Sequence, residues 1–482
     1  MQRPGELALV LHTHMPYVEG GAPWPRPAGE LDPLGFGTWP FGEEWLWEAI
    51  ATSYLPLLEV LGRAPLTLSL TPVLCDQLES PGALTRCIDF LAEVRPASHL
   101  RDMERARGPQ RRAMVALLER SAEAYAAAAQ ALRALPHGLL DALGEHAAWT
   151  SAATHAVLPL LAGDAAISVQ LGTGAASHRR RFGGWSGGMW LPECAYAPWL
   201  DSLLAAAGAR AVCIELPRKL APAGNQAPLP PLLSDEGSVL WPLDRETIAL
   251  VWDPRGYPAR AAYRDSHRLT GNHHRVWRND GGLYDPAAAR TQTQVDARDF
   301  VTRVRRRVRH GGLSVCALDT ELLGHWWYEG VEWLAAVIEE AARQGLALVA
   351  LDDALARHEP VPIAGVVAQE GLRAAAARGL TWGAGGDLRT WSGPPVADLI
   401  WRVRSAELRV LAHGDPGPRA LRELLALQAS DWLFLTYRRL DGEYPRERVE
   451  AHLRALELAL REPSQLDSRL RNLAPDLVPW PG

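Results

Sequence analysis

The sequence predicts an α/β fold in which a parallel sheet, open or closed, is flanked by helices. Three observations carry that reading. Short apolar runs alternate with helical stretches up to about residue 351, the order a parallel sheet requires. Several of those runs end directly in histidines, acids and aromatics, as strands do when their C-terminal loops share one functional face. Beyond His358–Gly365, a stretch with two prolines and no periodicity that reads as a linker, the pattern is almost wholly helical.

In chain order, Glu6–Leu11 reads as a first buried strand that runs into His12-Thr13-His14. Glu43–Leu61 has helical spacing, and Leu66–Leu70 is a second strand stopped by Thr71-Pro72. From Leu78 to about Leu143 the chain is helical, with breaks expected at Pro96 and Pro136, and forms a helical insertion. Strands are then expected at Ala147–Thr150, in the run into Trp190, and at Ala209–Ile214, Ile248–Trp252, Leu313–Leu318 and Leu346–Leu351. Helices are expected around Ala165–Arg181, Leu200–Ala207, Ala297–Arg309 and Val331–Arg343. Ala221–Ser234 is rich in proline and polar residues and reads as a loop. Ala397–Ala412, Pro418–Tyr437 and Arg446–Glu462 are the C-terminal helices. The expected division is therefore 1–360 for the sheet-based part and 361–482 for an α-helical one.

Composition narrows the function. At 482 residues with 48% hydrophobic and 22% charged residues, the chain is an ordinary soluble globular protein. A net charge of −6 argues against a nucleic-acid or anionic-membrane partner. Nineteen tryptophans against six phenylalanines is unusual, and flat indole faces stack well on sugar rings, which points to carbohydrate. The five cysteines are widely spaced, with no CxxC, so neither a disulfide framework nor a structural zinc site is expected. The first apolar run, Leu7–Leu11, is too short for a membrane span and has no basic leader, so a cytoplasmic location is expected.

Two segments carry the chemistry. In ALDTELLGHWWYEG (Ala317–Gly330) a strand is followed by Asp319 and Glu321, then Gly324, His325, Trp326, Trp327 and Glu329. A helix cap explains Asp319 alone but leaves the neighbouring tryptophans unaccounted for. Glu321 and Glu329 are expected to support the Asp319 loop rather than touch substrate. In WLPECAY (Trp190–Tyr196) Glu193 follows another strand, beside Trp190, Pro192 and Tyr196. Glu193 and Asp319 together supply the two carboxyls of glycoside cleavage, one to attack the anomeric carbon and one to protonate the leaving oxygen. His12 and His14 have the spacing that places both rings on one face of a strand. They fit substrate hydroxyls, a metal pair with His155 as a third ligand, or simple packing; substrate is preferred, because the two acids offer a complete metal-free route.

Taken together, LHTHMPYV (Leu11–Val18), SAATHAVLPLL (Ser151–Leu161), WLPECAY and LDTELLGHWWYEG (Leu318–Gly330) resemble the ordered signature regions of family 57 glycoside hydrolases. VWDPRGYP (Val251–Pro258), TWGAGGDLRTW (Thr381–Trp391) and LQASDWLFL (Leu427–Leu435) resemble its 1,4-α-glucan branching branch. The resemblance implies a (β/α)7 barrel with a helical insertion and a helical C-terminal domain that contributes to the cleft. It implies Glu193 as nucleophile and Asp319 as general acid/base, with no metal or organic cofactor. His12, His14 and His155 would line the subsite at the cleavage point; Trp190, His325 and Trp326 would also bind substrate. Trp252, Trp382 and Trp391 would guide the glucan, and Asp431 and Trp432 would border the cleft. The implied partner is an α-glucan such as amylose or a glycogen-like polymer, and the implied assembly a monomer or small homo-oligomer.

One departure affects the reaction. Members of that branch carry a long loop with a tyrosine near its tip after the strand at Ala209–Ile214. Here Glu215–Thr247 is short and proline-rich, with Trp241 as its only aromatic. Less cover over the glycosyl-enzyme favours water, so amylase-like hydrolysis is the nearest alternative, unless Gly20–Trp39, with Trp24 and Trp39, supplies substitute cover. A metal-dependent carbohydrate hydrolase or deacetylase built on the histidine pair, and a catalytically silent glucan-binding protein, are the more distant readings.

Overall fold

The computed structural model describes residues 5–18, 42–216, 227–363, 379–440, 442–462, 470 and 472–481. Its strands are β1 (Glu6–Thr13), β2 (Thr67–Leu70), β3 (Ala147–Ser151), β4 (Gly188–Trp190), β5 (Ala211–Ile214), β6 (Leu232–Leu233), β7 (Val239–Pro242), β8 (Leu313–Asp319), β9 (Ala347–Leu348) and β10 (Val361–Pro362). β1 and β8 are almost continuously apolar and buried, as strands covered on both faces must be.

Seven strands run parallel in the order β8–β1–β2–β3–β4–β5–β7. At the seam the Asp244 amide, just past β7, donates to the Val315 carbonyl of β8 at 2.8 Å. The Asp244 carboxylate takes hydrogen bonds from Ser314 (2.8 Å) and Arg307 (3.1 Å), pinning the two ends together. The curled sheet is thus the (β/α)7 barrel expected. β6 is antiparallel to β7, and β10 extends that edge.

The helical insertion lies between β2 and β3 and includes Arg95–Arg105 and Arg111–Ala134. The break expected at Pro96 does not occur. A wide turn at Phe90–Val94, with hydrogen bonds one residue longer than in an α-helix, precedes the proline. The same device, Ile50–Tyr54, precedes Pro56. A proline cannot donate to the carbonyl four residues back and its ring crowds that group; the wider turn relieves both problems, so the helix runs on.

Three further expectations are corrected. Ile248–Trp252 is the end of a helix, Arg245–Trp252, whose buried Thr247, Ile248 and Val251 follow helical spacing. The barrel strand at that point is β7, which lies just past the loop read at Ala221–Ser234 and within the short Glu215–Thr247 segment. The linker at His358–Gly365 carries β10, and its last two residues lie outside the described ones. Leu346–Leu351 contributes only the two residues of β9, followed by a short helix, Leu351–Ala354.

The C-terminal helices Ala397–His413, Gly417–Leu427, Ser430–Arg438 and Tyr444–Arg461 pack around their own core of Val403, Ala406, Leu424 and Trp432. The helix expected over Pro418–Tyr437 is broken at Gln428-Ala429. There Ala429 bridges Ala156, and the Ser430 amide donates to the His155 carbonyl, so the break presses Ser430 and Asp431 against the barrel mouth. All five cysteines are free and buried. Among the described residues no helix is long and apolar enough to cross a membrane.

Candidate active site

Strand register assembles the site. His12, near the end of β1, pairs with Ser69 of β2 on one side and with Asp319 of β8 on the other. His12 and His14 present nearly parallel rings 6.2 Å apart, as alternate residues of one strand face should. His155, from the loop after β3, stacks between them at 4.9 Å from His12 and 4.1 Å from His14. Trp190, the last residue of β4, stacks on the far side of His12 at 4.9 Å.

Glu193 sits in the turn after β4 with φ 58° and ψ 22°, and Cys194 follows at φ 51°. His155, at φ 60°, is also in the left-handed region. Side chains rarely adopt it, at about 1–3 kcal/mol each, and such residues gather where the fold imposes a functional geometry. Here Tyr196 and Leu380 exchange backbone hydrogen bonds, and the Glu193 carbonyl accepts from the Thr381 hydroxyl at 2.6 Å. These contacts aim the carboxyl into the cleft. Oε1 accepts from Ser430 Oγ at 2.9 Å, and Oε2 from the Trp382 indole at 3.2 Å. Burial pushes the Glu193 carboxyl up to about 7, against the pull of those two donors.

Asp319 ends β8, half-buried, close enough to Glu193 to feel its charge. Burial first, and then the neighbouring charges of Glu321, Glu193 and Asp431, push its carboxyl well above the ordinary range. Glu321 turns away from the cleft. Its Oε1 accepts from Tyr54 OH (2.6 Å) and from the His14 amide (3.0 Å), and burial raises it to about 7. Glu329 accepts from the Arg264 amide at 3.2 Å. The loop between them closes tightly at Gly324 (φ 95°), where a Cβ would lie 1.8 Å from the Thr52 carbonyl oxygen; only glycine fits. His325 is buried beside the exposed Trp326, and its carbonyl accepts from Arg275; burial pushes its imidazole down to about 3.

His14 behaves differently from its neighbours. Burial disfavours its charge, but Asp431, 3.0 Å away, outweighs burial and raises it, whereas His12 and His155 are driven well down by burial and by neighbouring histidines. His14, His155 and Asp431 each bring one donor atom to within 4.8 Å of the others, a set a transition metal accepts. Here those atoms hold one another: His14 pairs with Asp431, and His155 contacts Ser430 and His12.

The aromatic residues divide. Trp190, Trp382 and Trp252 form a row with ring centres 4.9 and 6.0 Å apart, leading outward from His12. Trp252 is 41% and Trp326 45% exposed, so both offer a face to a ligand. Trp391 and Trp432, expected at the cleft, are 1% and 0% exposed. Trp432 packs in the helical core with its indole donating to the Ala426 carbonyl, and Trp391 packs in the same core; neither has a free face. Trp241 is likewise buried in the barrel. Gly20–Trp39 lies outside the described residues, as do 217–226.

Ser430, Thr381, Ser69 and Tyr54 were not anticipated. Ser430 lies in a segment already singled out, beside Asp431, but a serine at a helix start reads as a cap.

Two half-buried carboxyls at the C-terminal ends of parallel barrel strands, with a histidine stack between strands and an aromatic row outside, belong to a barrel enzyme. The chain belongs to glycosyl hydrolase family 57, whose model matches residues 8–367. It is 30% identical to the 1,4-α-glucan branching enzyme of Thermococcus kodakarensis over 93% of this chain and 72% of that protein. It is also 30% identical to a probable 1,4-α-glucan branching enzyme of Mycobacterium tuberculosis, over 94% of this chain and 91% of the other. Among solved structures, the family 57 branching enzyme of Pyrococcus horikoshii superposes with a TM-score of 0.82 at 28% identity, covering 98% of this chain and 96% of its own. The α-amylase AmyC of Thermotoga maritima shares the fold, with a TM-score of 0.74 at 22% identity over 99% of this chain and 98% of its own.

Proposed function

We propose that this chain is a 1,4-α-glucan branching enzyme. Glu193 attacks the anomeric carbon of an α-1,4-linked glucan, and the departing 4-oxygen takes the Asp319 proton. Asp319 then removes the proton from a 6-hydroxyl of a second glucan. That oxygen attacks the anomeric carbon and expels the Glu193 carboxylate, forming an α-1,6 branch with net retention.

The single observation that carries this reading is the contrast between the two carboxyls. Burial raises both, but on Glu193 two donors pull back toward the charged form, while on Asp319 the charges of Glu321, Glu193 and Asp431 add to burial and favour the neutral form. One is suited to be the nucleophile and the other the acid. The transfer step is supported by the two relatives named for branching at 30% identity. His12, His14 and His155 line the sugar pocket, and Trp382, Trp252 and Trp326 form its approach; Trp190, expected to bind substrate, is fully buried and backs the His12 ring instead. The division of labour is a catalytic barrel over 1–360 and a helical part over 361–482 that lends Trp382, Ser430 and Asp431. The polymer is glycogen-like and the setting cytoplasmic; the acidic net charge fits neither nucleic acid nor an anionic membrane as partner.

A hydrolase on the same scaffold is the second reading, favoured by the Glu215–Thr247 segment, which lacks tyrosine and whose Trp241 is buried in the barrel. Substitution tests the chemistry common to both. Glu193→Gln is expected to abolish amylose turnover, and Asp319→Asn to reduce it roughly 10²–10⁴-fold, with the far-ultraviolet circular dichroism unchanged. Wild-type turnover by either variant removes that residue from the mechanism.

A further inference from the structure

The geometry around Glu193 points to a role for a residue outside the barrel. His12 Nε2 lies 2.9 Å from His155 Nε2, His155 Nδ1 lies 2.9 Å from Ser430 Oγ, and Ser430 Oγ donates to Glu193 Oε1 at 2.9 Å. These contacts form one continuous chain, and its polarity follows from proton counting. A serine hydroxyl has one proton, and here it is given to the carboxylate. Ser430 must therefore accept from His155, which makes Nδ1 of His155 a donor and its Nε2 an acceptor in the neutral ring. That acceptor is met by the N–H on Nε2 of His12, leaving Nδ1 of His12 as an acceptor 3.3 Å from the Ser69 hydroxyl, whose one proton is shared with the Thr150 carbonyl at 3.3 Å. Every donor points toward Glu193. Neutral rings are required, and burial keeps both neutral. Aligned hydrogen bonds in a buried site polarise one another in the same sense.

We propose that Ser430 is a positioning residue for the nucleophile, ending a one-directional hydrogen-bond chain from His12 through His155 that stabilises the Glu193 carboxylate when the glycosyl-enzyme breaks down. The assignment rests on Glu193 being the nucleophile, as proposed above. The step it serves is the second. The acceptor oxygen bonds to the anomeric carbon, its proton passes to Asp319, and the ester C–O bond breaks with its electron pair returning to Glu193. A donor already aimed at that carboxylate lowers the barrier to its departure without reorganising. Ser430 is held for this by its own amide bond to the His155 carbonyl at 3.1 Å, so serine and histidine are fixed as a pair.

The test compares Ser430→Ala and Ser430→Thr on amylose, with intact-protein mass recorded during turnover. Ser430→Ala is expected to fold and to lose roughly 10- to 100-fold in kcat, as for a lost hydrogen bond to a charged group. KM falls with it, and a covalent glycosyl adduct accumulates, because ester breakdown has become limiting. Ser430→Thr keeps the hydroxyl and restores most of the rate. If Ser430→Ala does not fold, Ser430→Cys reads the same step, since a thiol is a poor donor of similar shape. An unchanged kcat, or a lower kcat with raised KM and no adduct, overturns the proposal. Glu193→Ala with azide separates the two claims. A β-glycosyl azide establishes Glu193 as nucleophile whatever Ser430 does, whereas full amylose turnover without azide removes the nucleophile and the Ser430 role together.

Discussion

The indole nitrogen of Trp382 stands 3.2 Å from Oε2 of Glu193, joining the helical part of the chain to a carboxyl 189 residues earlier. The same ring lies 4.9 Å from Trp190 and 6.0 Å from Trp252. One side chain thus belongs both to the acid's hydrogen-bond shell and to the aromatic row. Those roles are separable, because phenylalanine keeps a flat face and loses the donor.

Trp382→Phe is expected to lower kcat roughly tenfold, the weak end for a hydrogen bond to a charged group, with KM little changed. Trp382→Ala removes the ring as well, so its KM for amylose rises too. Equal effects of the two variants on KM contradict a stacking role for this indole.

The pH profile follows from the two carboxyls. On the proposed assignment Glu193 must be ionised to attack, and burial sets it near 7; Asp319 must be protonated, and burial with the Glu321 charge favours its neutral form well above the ordinary range. The kcat/KM profile is therefore a bell whose apparent values belong to the pair. Glu321→Gln retains an oxygen for Tyr54 and the His14 amide but removes the like charge. The alkaline limb is expected to move to lower pH. A limb that stays in place places the second titration elsewhere.

Stability is linked to the same burial. Glu193 rises from 4.5 to about 7 on folding, so the folded state binds its proton more tightly. The stability this gives is fully present below about pH 4.5, is lost as pH rises through 7, and is absent above. Replacing the acid by its amide removes the cost of burying the charge. The pH-dependent part of the change is up to about 3 kcal/mol in favour of Glu193→Gln at pH 8 relative to pH 4.5, at ~1.4 kcal/mol per pKa unit, offset equally at both by the amide NH2 facing Ser430 or Trp382. Urea denaturation at the two pH values reads this directly. An equal gain at both shows that charge burial is not its source.

Much of the site was legible because strand ends are local in sequence. β1 delivers His12 and His14, β4 delivers Glu193, and β8 delivers Asp319, each directly after an apolar run. The barrel's other strands were harder to read. β7 is four residues ending in Pro242, shorter than the run Ile248–Trp252 that resembles a strand but buries only one helical face. Tryptophan identity did not reveal orientation either: Trp391 and Trp432 pack inward, Trp252 and Trp326 outward, and only the packing of surrounding helices decides which. Ser430 escaped notice because its importance comes from contacts 237 and 275 residues away in sequence.

Metal dependence offers another contrast. On the proposed mechanism the acids supply a complete route without a metal, and Asp431 holds the His14 ring nitrogen at 3.0 Å. Dialysis against a chelator is expected to leave activity unchanged, while added zinc inhibits by breaking the His14–Asp431 pair and parting His155 from Ser430. Stoichiometric zinc in the purified protein, with activity lost on chelation, contradicts the two-carboxyl mechanism.

Transfer to a 6-hydroxyl is tested most directly by proton NMR of amylose incubated with the purified protein, with reducing ends assayed in parallel. New α-1,6 anomeric signal with few new reducing ends is the expected result. Reducing ends rising without α-1,6 signal contradict it, and make this chain a hydrolase built on a branching-enzyme scaffold.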